Sequence, residues 1–503
     1  MTTFMGSLEN QQMQETENGA LGYVTIGSKL LDLNFAVPSF RKDISMKYYD
    51  FFNESIQKNP NLTLRWLLFL RDIKEGMGER DSYRKFLYYL CEIEPDLAEV
   101  FIEEVDLAEY GRWDDYIYLY SYLSKGSLRD TIVEKLKKQL NEDVVNLMQG
   151  KPISLLAKWM PSEKASSKST RKLAKIFAKE FNLSLQDYRK TLSSLRKHLN
   201  IVEVKMSANK WDKIEYEKVT SGANLRYNTA FYRHDQERRR EYLESLKKGE
   251  TKINAKTLFL YEIVYKYNDS CIWDRSTKAL DETLEALWKA QEPPKEFANT
   301  LVVRDGSGSM LCPIGNSNVT AIDVADALTI YLSEYNSEEF KNKFITFSHD
   351  AKLVDLSKFN NLHDKLVRLE SFSDYTNTNV ENVLSLVLRA MKESNKSVDR
   401  LLFISDMEYD SATSGRTDKA LFEIWQEKYK EEGFTMPKLV FWNVNSRTNT
   451  IPVTENENGV ILVSGFSKNI VDMVMSKEID PLKILVDKLN TERYTVVDRV
   501  IIG

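Results

Sequence analysis

Residues Glu292-Pro-Pro-Lys295 separate two hydrophobic grammars that cannot share one layer of structure. Before them, from about residue 44 to 291, apolar side chains recur at threes and fours with few β-branched runs, the period of amphipathic helices. Leu64, Leu67 and Leu68, continued by Arg71 and Ile73, make one helical face; Tyr83, Phe86, Leu87 and Leu90 make the next. Gly76 and Gly78 stop the first helix and turn the chain. Further helices are expected over 170–181, 185–199, 235–247 and 255–267. Helical pairs joined by short polar segments stack into a solenoid or ring, so a HEAT-like repeat without an exact period is expected.

After the Pro pair, continuous apolar runs begin. They predict strands over 300–303, 344–347, 400–405, 439–442 and 460–463, with 497–502 as a last one. Between them lie a helix with Ile322, Ala325, Leu328 and Leu332 on one face, and helices over 383–391, 419–429, 468–475 and 482–489. Alternating β and α with apolar strands predicts a doubly wound parallel sheet, whose ligands sit at the carboxyl ends of its strands. The expected organisation is a flexible tail over 1–20, a helical domain over 21–292 and an α/β domain over 293–503.

At 503 residues the chain is long enough for two cores. Hydrophobic content of 42% with 29% charged residues is that of a globular protein, and no apolar run approaches the roughly 18 residues a membrane helix needs. The polar first 17 residues have no apolar core of a secretory signal, so a cytoplasmic location is expected. Cys91, Cys271 and Cys312 are far apart and unpaired by any CxxC spacing; they read as buried small hydrophobes, not as a disulfide or zinc framework.

The net charge of −5 hides an asymmetry. Residues 151–256 carry 25 Lys/Arg against 12 Asp/Glu, a basic stretch inside an otherwise acidic chain. Such a run is often only a solvated helix face, but its sign bias points to an anionic partner.

The segment Leu301-Val-Val-Arg-Asp305-Gly-Ser307-Gly-Ser309-Met310 puts a carboxylate and two hydroxyls just past the first strand. Alternate spacing along an extended turn aims all three the same way, and the glycines let the backbone bend. Oxygen donors of this kind suit Mg²⁺ or Mn²⁺, with further ligands from other loops. Thr376-Asn-Thr378-Asn-Val380 and Ser405-Asp406 follow later strand–helix units and are expected on the same sheet edge.

These pieces resemble the metal-ion-dependent adhesion site of von Willebrand A domains, Asp-x-Ser-x-Ser followed by a Thr and an Asp. The resemblance makes Asp305, Ser307, Ser309, Thr378 and Asp406 the metal set, with Thr376 as the alternative threonine, and one coordination position open for a partner's oxygen. Arg304 departs from it, being charged where an apolar residue often precedes the Asp.

The helical half is similar to the Ro or TROVE-type RNA-binding proteins, and to relatives of theirs with a C-terminal von Willebrand A domain. The resemblance rests on Thr16-Glu-Asn-Gly-Ala-Leu-Gly-Tyr23, Arg71-Asp-Ile-Lys-Glu-Gly-Met-Gly-Glu-Arg80, Tyr110-Gly-Arg-Trp-Asp-Asp115 and Ser154-Leu-Leu-Ala-Lys-Trp-Met-Pro-Ser162. Tyr188-Arg-Lys190, Ser193-Ser-Leu-Arg196, Phe231-Tyr-Arg-His-Asp235, Ser405-Asp-Met407, Phe441-Trp-Asn443 and Ser464-Gly-Phe-Ser467 carry it, in order, across nearly the whole chain. It implies a helical ring closed by the von Willebrand A domain, binding noncoding or misfolded RNA, structured or single-stranded, through basic surfaces, as a monomer.

Lys and Arg gain affinity for phosphates by displacing counterions. The candidates for RNA contact are Lys158, Lys164, Lys168, Arg171, Lys172, Arg189, Lys190, Arg196 and Lys197, followed by Arg233 and His234. Trp159 reads as a core residue sooner than as a stacking platform. Arg238-Arg-Arg240 wraps round a helix, so at least one of the three is expected to be solvated surface. Arg71-Asp72 and Glu79-Arg80 read equally well as intramolecular ion pairs that fix a turn.

Catalysis has little support. The four His, at 198, 234, 349 and 363, form no recognisable motif, and His234-Asp235 lacks the partners a metal phosphohydrolase needs. The expectation is an RNA-binding protein that is not an enzyme; the competing reading is a scaffold whose metal captures a protein carboxylate.

Overall fold

The computed structural model describes residues 13–15, 21–23, 28–268, 278–347, 351–373, 379–407, 419–445, 460–478 and 480–502. The chain packs as two compact units: residues 64–74, 78–254 and 492–503 in one, and residues 1–63, 75–77 and 255–491 in the other. The break in grammar at residues 292–295 marks where helices give way to strands, whereas the packing groups the helices Leu260–Asn268 and Glu282–Lys289 with the sheet.

In the helical unit the main elements are α1 (Asp81–Ile93), α2 (Trp113–Tyr122), α3 (Ser127–Met148), α4 (Lys168–Glu180), α5 (Leu185–His198), α6 (Ser221–His234) and α7 (Gln236–Lys247). Each buries the apolar stripe its sequence carries: Tyr83, Phe86, Leu87 and Leu90 in α1, Ala174, Phe177 and Ala178 in α4, Tyr188, Leu192 and Leu195 in α5. Asp115, wholly buried at the start of α2, takes Arg71 Nε at 2.9 Å and Arg84 Nε at 2.6 Å. Residue 111 must be glycine there, because a Cβ would lie 2.3 Å from the Asp115 carboxylate and 2.6 Å from Arg71 Nε.

The end of the chain is helical. The apolar run at 497–502 reads as a strand, but the structure has a 3-10 turn over Glu492–Val497 followed by the helix Asp498–Ile502. The buried residues are Tyr494, Val497 and Val500, a spacing of three instead of two. Arg493 makes a forked ion pair with Asp72, the Tyr494 hydroxyl donates to the same carboxylate at 3.1 Å, and Arg65 Nη2 meets Asp498 at 2.6 Å. Arg71, Asp72 and Arg80 therefore do form intramolecular ion pairs, with Asp115, Arg493 and Asp81 as partners.

The second unit is built on a six-stranded sheet. In chain order it runs β1 (Thr300–Asp305), α8 (Ala321–Glu334), β2 (Lys343–Phe347), β3 (Leu353–Asp355), α9 (Leu362–Glu370), α10 (Val380–Ser394), β4 (Arg400–Ser405), α11 (Lys419–Glu431), β5 (Lys438–Asn443) and β6 (Val460–Ser464). The strand order is β3-β2-β1-β4-β5-β6, and only the β2–β3 pairing is antiparallel. β1 is buried along its whole length, as a strand covered on both faces must be. Phe403 at the centre meets Phe347 edge-on at 5.2 Å and Phe441 in a stack at 5.1 Å.

β3 is the strand that periodicity does not reveal: three residues long, on the sheet edge, with only its middle residue buried. The stretch 468–475 forms a 3-10 turn, Lys468–Ile470, and a short helix, Val471–Val474. Of the cysteines, Cys91 is buried, Cys312 is half-buried where burial was expected, and Cys271 lies outside the described residues. Met13–Glu15, in the stretch 1–20 read as a flexible tail, pairs antiparallel with Leu21–Tyr23; the rest of that stretch lies outside the described residues. No helix among the described residues is long and apolar enough to cross a membrane.

Candidate metal centre and nucleic-acid surface

The strand order fixes where a ligand can sit. From β1 the chain crosses to β2 on one side, and from β4 it crosses to β5 on the other, so the connections diverge between β1 and β4. Parallel register aligns Arg304 with Ile404, which brings Asp305 beside Ser405 at the carboxyl edge and Asp406 just beyond. Farther along that edge, Asn443 Nδ2 donates to the Phe35 carbonyl at 3.1 Å and the Ser464 hydroxyl donates to the Asn34 carbonyl.

Asp305 is 1% exposed and Asp406 wholly buried. Asp305 Oδ1 accepts from the Ser307 amide at 2.9 Å and Oδ2 from the Ser405 hydroxyl at 2.6 Å. The Ser307 and Ser309 hydroxyl oxygens lie 3.0 Å apart. Burial raises the Asp305 pKa above the usual carboxylate range, a cost that a bound cation would offset. Two buried carboxylates and two converging hydroxyls are a donor set for a hard divalent ion. Thr376 and Thr378 lie outside the described residues; the helix they precede is present, with Asn379 capping α10 by accepting from the Asn382 amide at 3.2 Å.

On the helical unit the basic candidates separate by what their donors do. Arg196 is half-buried and donates to the Ala157 and Met160 carbonyls at 2.7 and 2.6 Å and to the Ser162 hydroxyl at 2.6 Å. With Tyr188, whose hydroxyl donates to the Pro161 carbonyl at 2.9 Å, it clamps the 157–162 segment onto α5. Arg171 donates to the Ala165 and Ser166 carbonyls at 2.6 and 2.7 Å, and Arg189 pairs with Glu163 at 2.9 Å. Lys164, Lys168, Lys172, Lys190, Lys197, Arg233 and His234 are exposed, while Lys158 is half-buried. Trp159 is half-buried as well, with the Arg112 guanidinium 5.1 Å from its ring centre.

Of the Arg238-Arg-Arg240 run, Arg240 is exposed and Arg239 wholly buried among the Tyr216, Phe231 and Tyr242 rings, 4.9 to 5.5 Å away. Arg238 Nη1 and the Tyr216 hydroxyl donate to Asp235 at 2.8 and 2.9 Å, which gives the His234-Asp235 pair a structural account.

Two family models match the chain. A domain of unknown function (DUF2828) covers residues 126–292, and another (DUF7788) covers residues 299–494. An uncharacterized protein of Acanthamoeba polyphaga mimivirus is 28% identical over 510 residues, spanning 94% of this chain and 86% of the relative. Among solved structures, the Deinococcus radiodurans Ro (RSR) protein is similar with a TM-score of 0.50 and 13% identity, over 93% of this chain and 100% of that one. The chain has the Ro fold. An all-helical region followed by a mostly parallel α/β sheet is thus its established architecture.

On that Ro-fold frame, three residues outside the sequence-based set come into view. Lys175 and Lys179 continue Lys168 and Lys172 along one exposed face of α4, a stripe of roughly 16 Å at 1.5 Å per residue. The i, i+4, i+7, i+11 spacing was legible in the sequence. Trp211 stacks on His234 with ring centres 4.4 Å apart and 11° between planes. Nothing local in the sequence announces that pairing, which the fold creates across 23 residues.

Proposed function

We propose that the helical unit binds RNA along the α4 lysine stripe, and that the sheet unit binds Mg²⁺ or Mn²⁺ and offers it to a further oxygen donor, a protein carboxylate or a phosphate. The observation that carries the RNA reading is the stripe itself. Lys168, Lys172, Lys175 and Lys179 are all exposed on a helix with no acidic residue in its first turn. Lys168, at the helix N-terminus, does not stabilise the helix, since its dipole is already positive there; it adds to a potential that attracts phosphate.

Lys164, Lys190 and Lys197 extend the basic surface. The exposed His234 ring, stacked on the partly buried Trp211, supplies an aromatic face of the kind on which an unpaired base can lie. Arg171 and Arg196 are left out of the contact set, because their guanidiniums hold backbone carbonyls. Asp305, Ser307, Ser309 and Asp406 form the metal set together with Thr378. When bound, the ion supplies a coordination position for an incoming oxygen, and these residues fix its place at the sheet edge.

Crosslinking tests the RNA assignment. A single-stranded RNA containing 4-thiouridine, irradiated with the full chain, is expected to label peptides spanning residues 164–197 and Trp211. Labels confined to the sheet unit would refute it.

A further inference from the structure

The residue before the metal loop is the one that departs from the resemblance, and its surroundings give it a task. Arg304 lies in β1 with no exposed surface. Its Nε donates to Asp326 of α8 at 2.6 Å, both side chains being fully buried, and its Nη2 donates to the Ser373 hydroxyl at 2.9 Å, just past α9. A buried ion pair is a poor source of stability, because desolvation offsets most of the attraction; an apolar pair of similar volume would serve the core as well.

The third arm reaches the metal loop. A Cβ on residue 306 would lie 3.1 Å from Arg304 Nη1 and 3.2 Å from the Phe372 carbonyl. The turn between Asp305 and Ser307 therefore passes close against the guanidinium, whose Nη1 makes no hydrogen bond, and against the Phe372-Ser373 backbone, with no room for a side chain at 306. Only a planar fork can meet α8, the Ser373 segment and the underside of the turn at once; a lysine can meet one of them.

We infer that Arg304 is a positioning residue for the metal centre, bracing the Gly306 turn against Asp326 and Ser373 so that Asp305 and Ser307 are held at their separation for a divalent cation. The inference rests on the metal reading proposed above. Residues behind a metal's direct ligands typically alter affinity by about 10- to 100-fold when changed, because they set ligand orientation.

The test uses the full chain and two conservative variants. Ser373→Ala removes only the tether beyond α9, and Arg304→Lys keeps a cation for Asp326 while losing the fork. Calorimetric titration with Mn²⁺ is expected to show each binding about 10-fold or more weakly than wild type. Metal-free Ser373→Ala should stay folded, because Arg304 keeps its ion pair with Asp326, and melt somewhat lower, because Arg304 Nη2 loses its acceptor. The Mn²⁺ electron paramagnetic resonance spectrum of the loaded variants should broaden, a change in ligand geometry that a merely structural role would not produce. Wild-type affinity and spectrum in Ser373→Ala would overturn the inference while leaving the metal reading intact, and Ser373→Ala decides alone if Arg304→Lys does not fold. Absence of binding to the wild-type chain would overturn both.

Discussion

Replacing Lys168, Lys172, Lys175 and Lys179 together by glutamate is expected to weaken single-stranded RNA binding at least about 100-fold at moderate salt, because each change removes one phosphate contact and adds a repulsion. The fold should not suffer. The four side chains are exposed, opposite the buried Ala174, Phe177 and Ala178; a glutamate at 168 favours the helix dipole and one at 179, in the last turn, opposes it, so the two largely cancel. The melting temperature should therefore hold while binding is lost, separating an interface from a structural role. A variant that binds within threefold of wild type in fluorescence anisotropy would reduce the stripe to a solvated face. The same reversal at Arg196 would be uninformative, because its three bonds to residues 157–162 make it part of the packing.

Asp305→Asn is expected to abolish metal binding without unfolding the sheet. The amide oxygen can still accept from the Ser307 amide or the Ser405 hydroxyl, so little hydrogen bonding is lost, but the charge that a divalent ion requires is gone. With metal at 100 times its dissociation constant, binding to the folded state alone stabilises by about 2.7 kcal/mol. Wild type should thus melt at a higher temperature on adding Mn²⁺, and Asp305→Asn should not respond. An equal response from both proteins would remove Asp305 from the metal set. Asp305→Ala is the harsher variant, because it leaves those two buried donors without their acceptor, at about 1–3 kcal/mol for each orphaned group.

Much of the architecture was legible because its signals are local. The strands β1, β2, β4, β5 and β6 lie within two residues of the apolar runs that predict them, since strands buried on both faces must be continuously apolar. Asp305 and Ser405 became neighbours through strand order, which the alternation of β and α implies for a doubly wound sheet. Three things were not legible. β3 buries one side chain and so leaves no pattern. The apolar stretch ending the chain looks like a strand until Tyr494, Val497 and Val500 are seen to share one face, and its partner Asp72 is more than 400 residues away. The roles of Arg171, Arg196 and Arg239 depend on which carbonyls and rings the fold brings to them, and charge counting treats all three as surface.

The most direct test of RNA recognition by the α4 stripe is the salt dependence of binding by the full chain. For a labelled single-stranded RNA, a plot of the logarithm of the association constant against that of the salt concentration falls by about 0.7 for each phosphate neutralised. Four lysines therefore predict a slope of about −3 or steeper for wild type, with most of it lost in the fourfold glutamate variant. A wild-type slope near zero, or one that the variant leaves unchanged, would contradict the account.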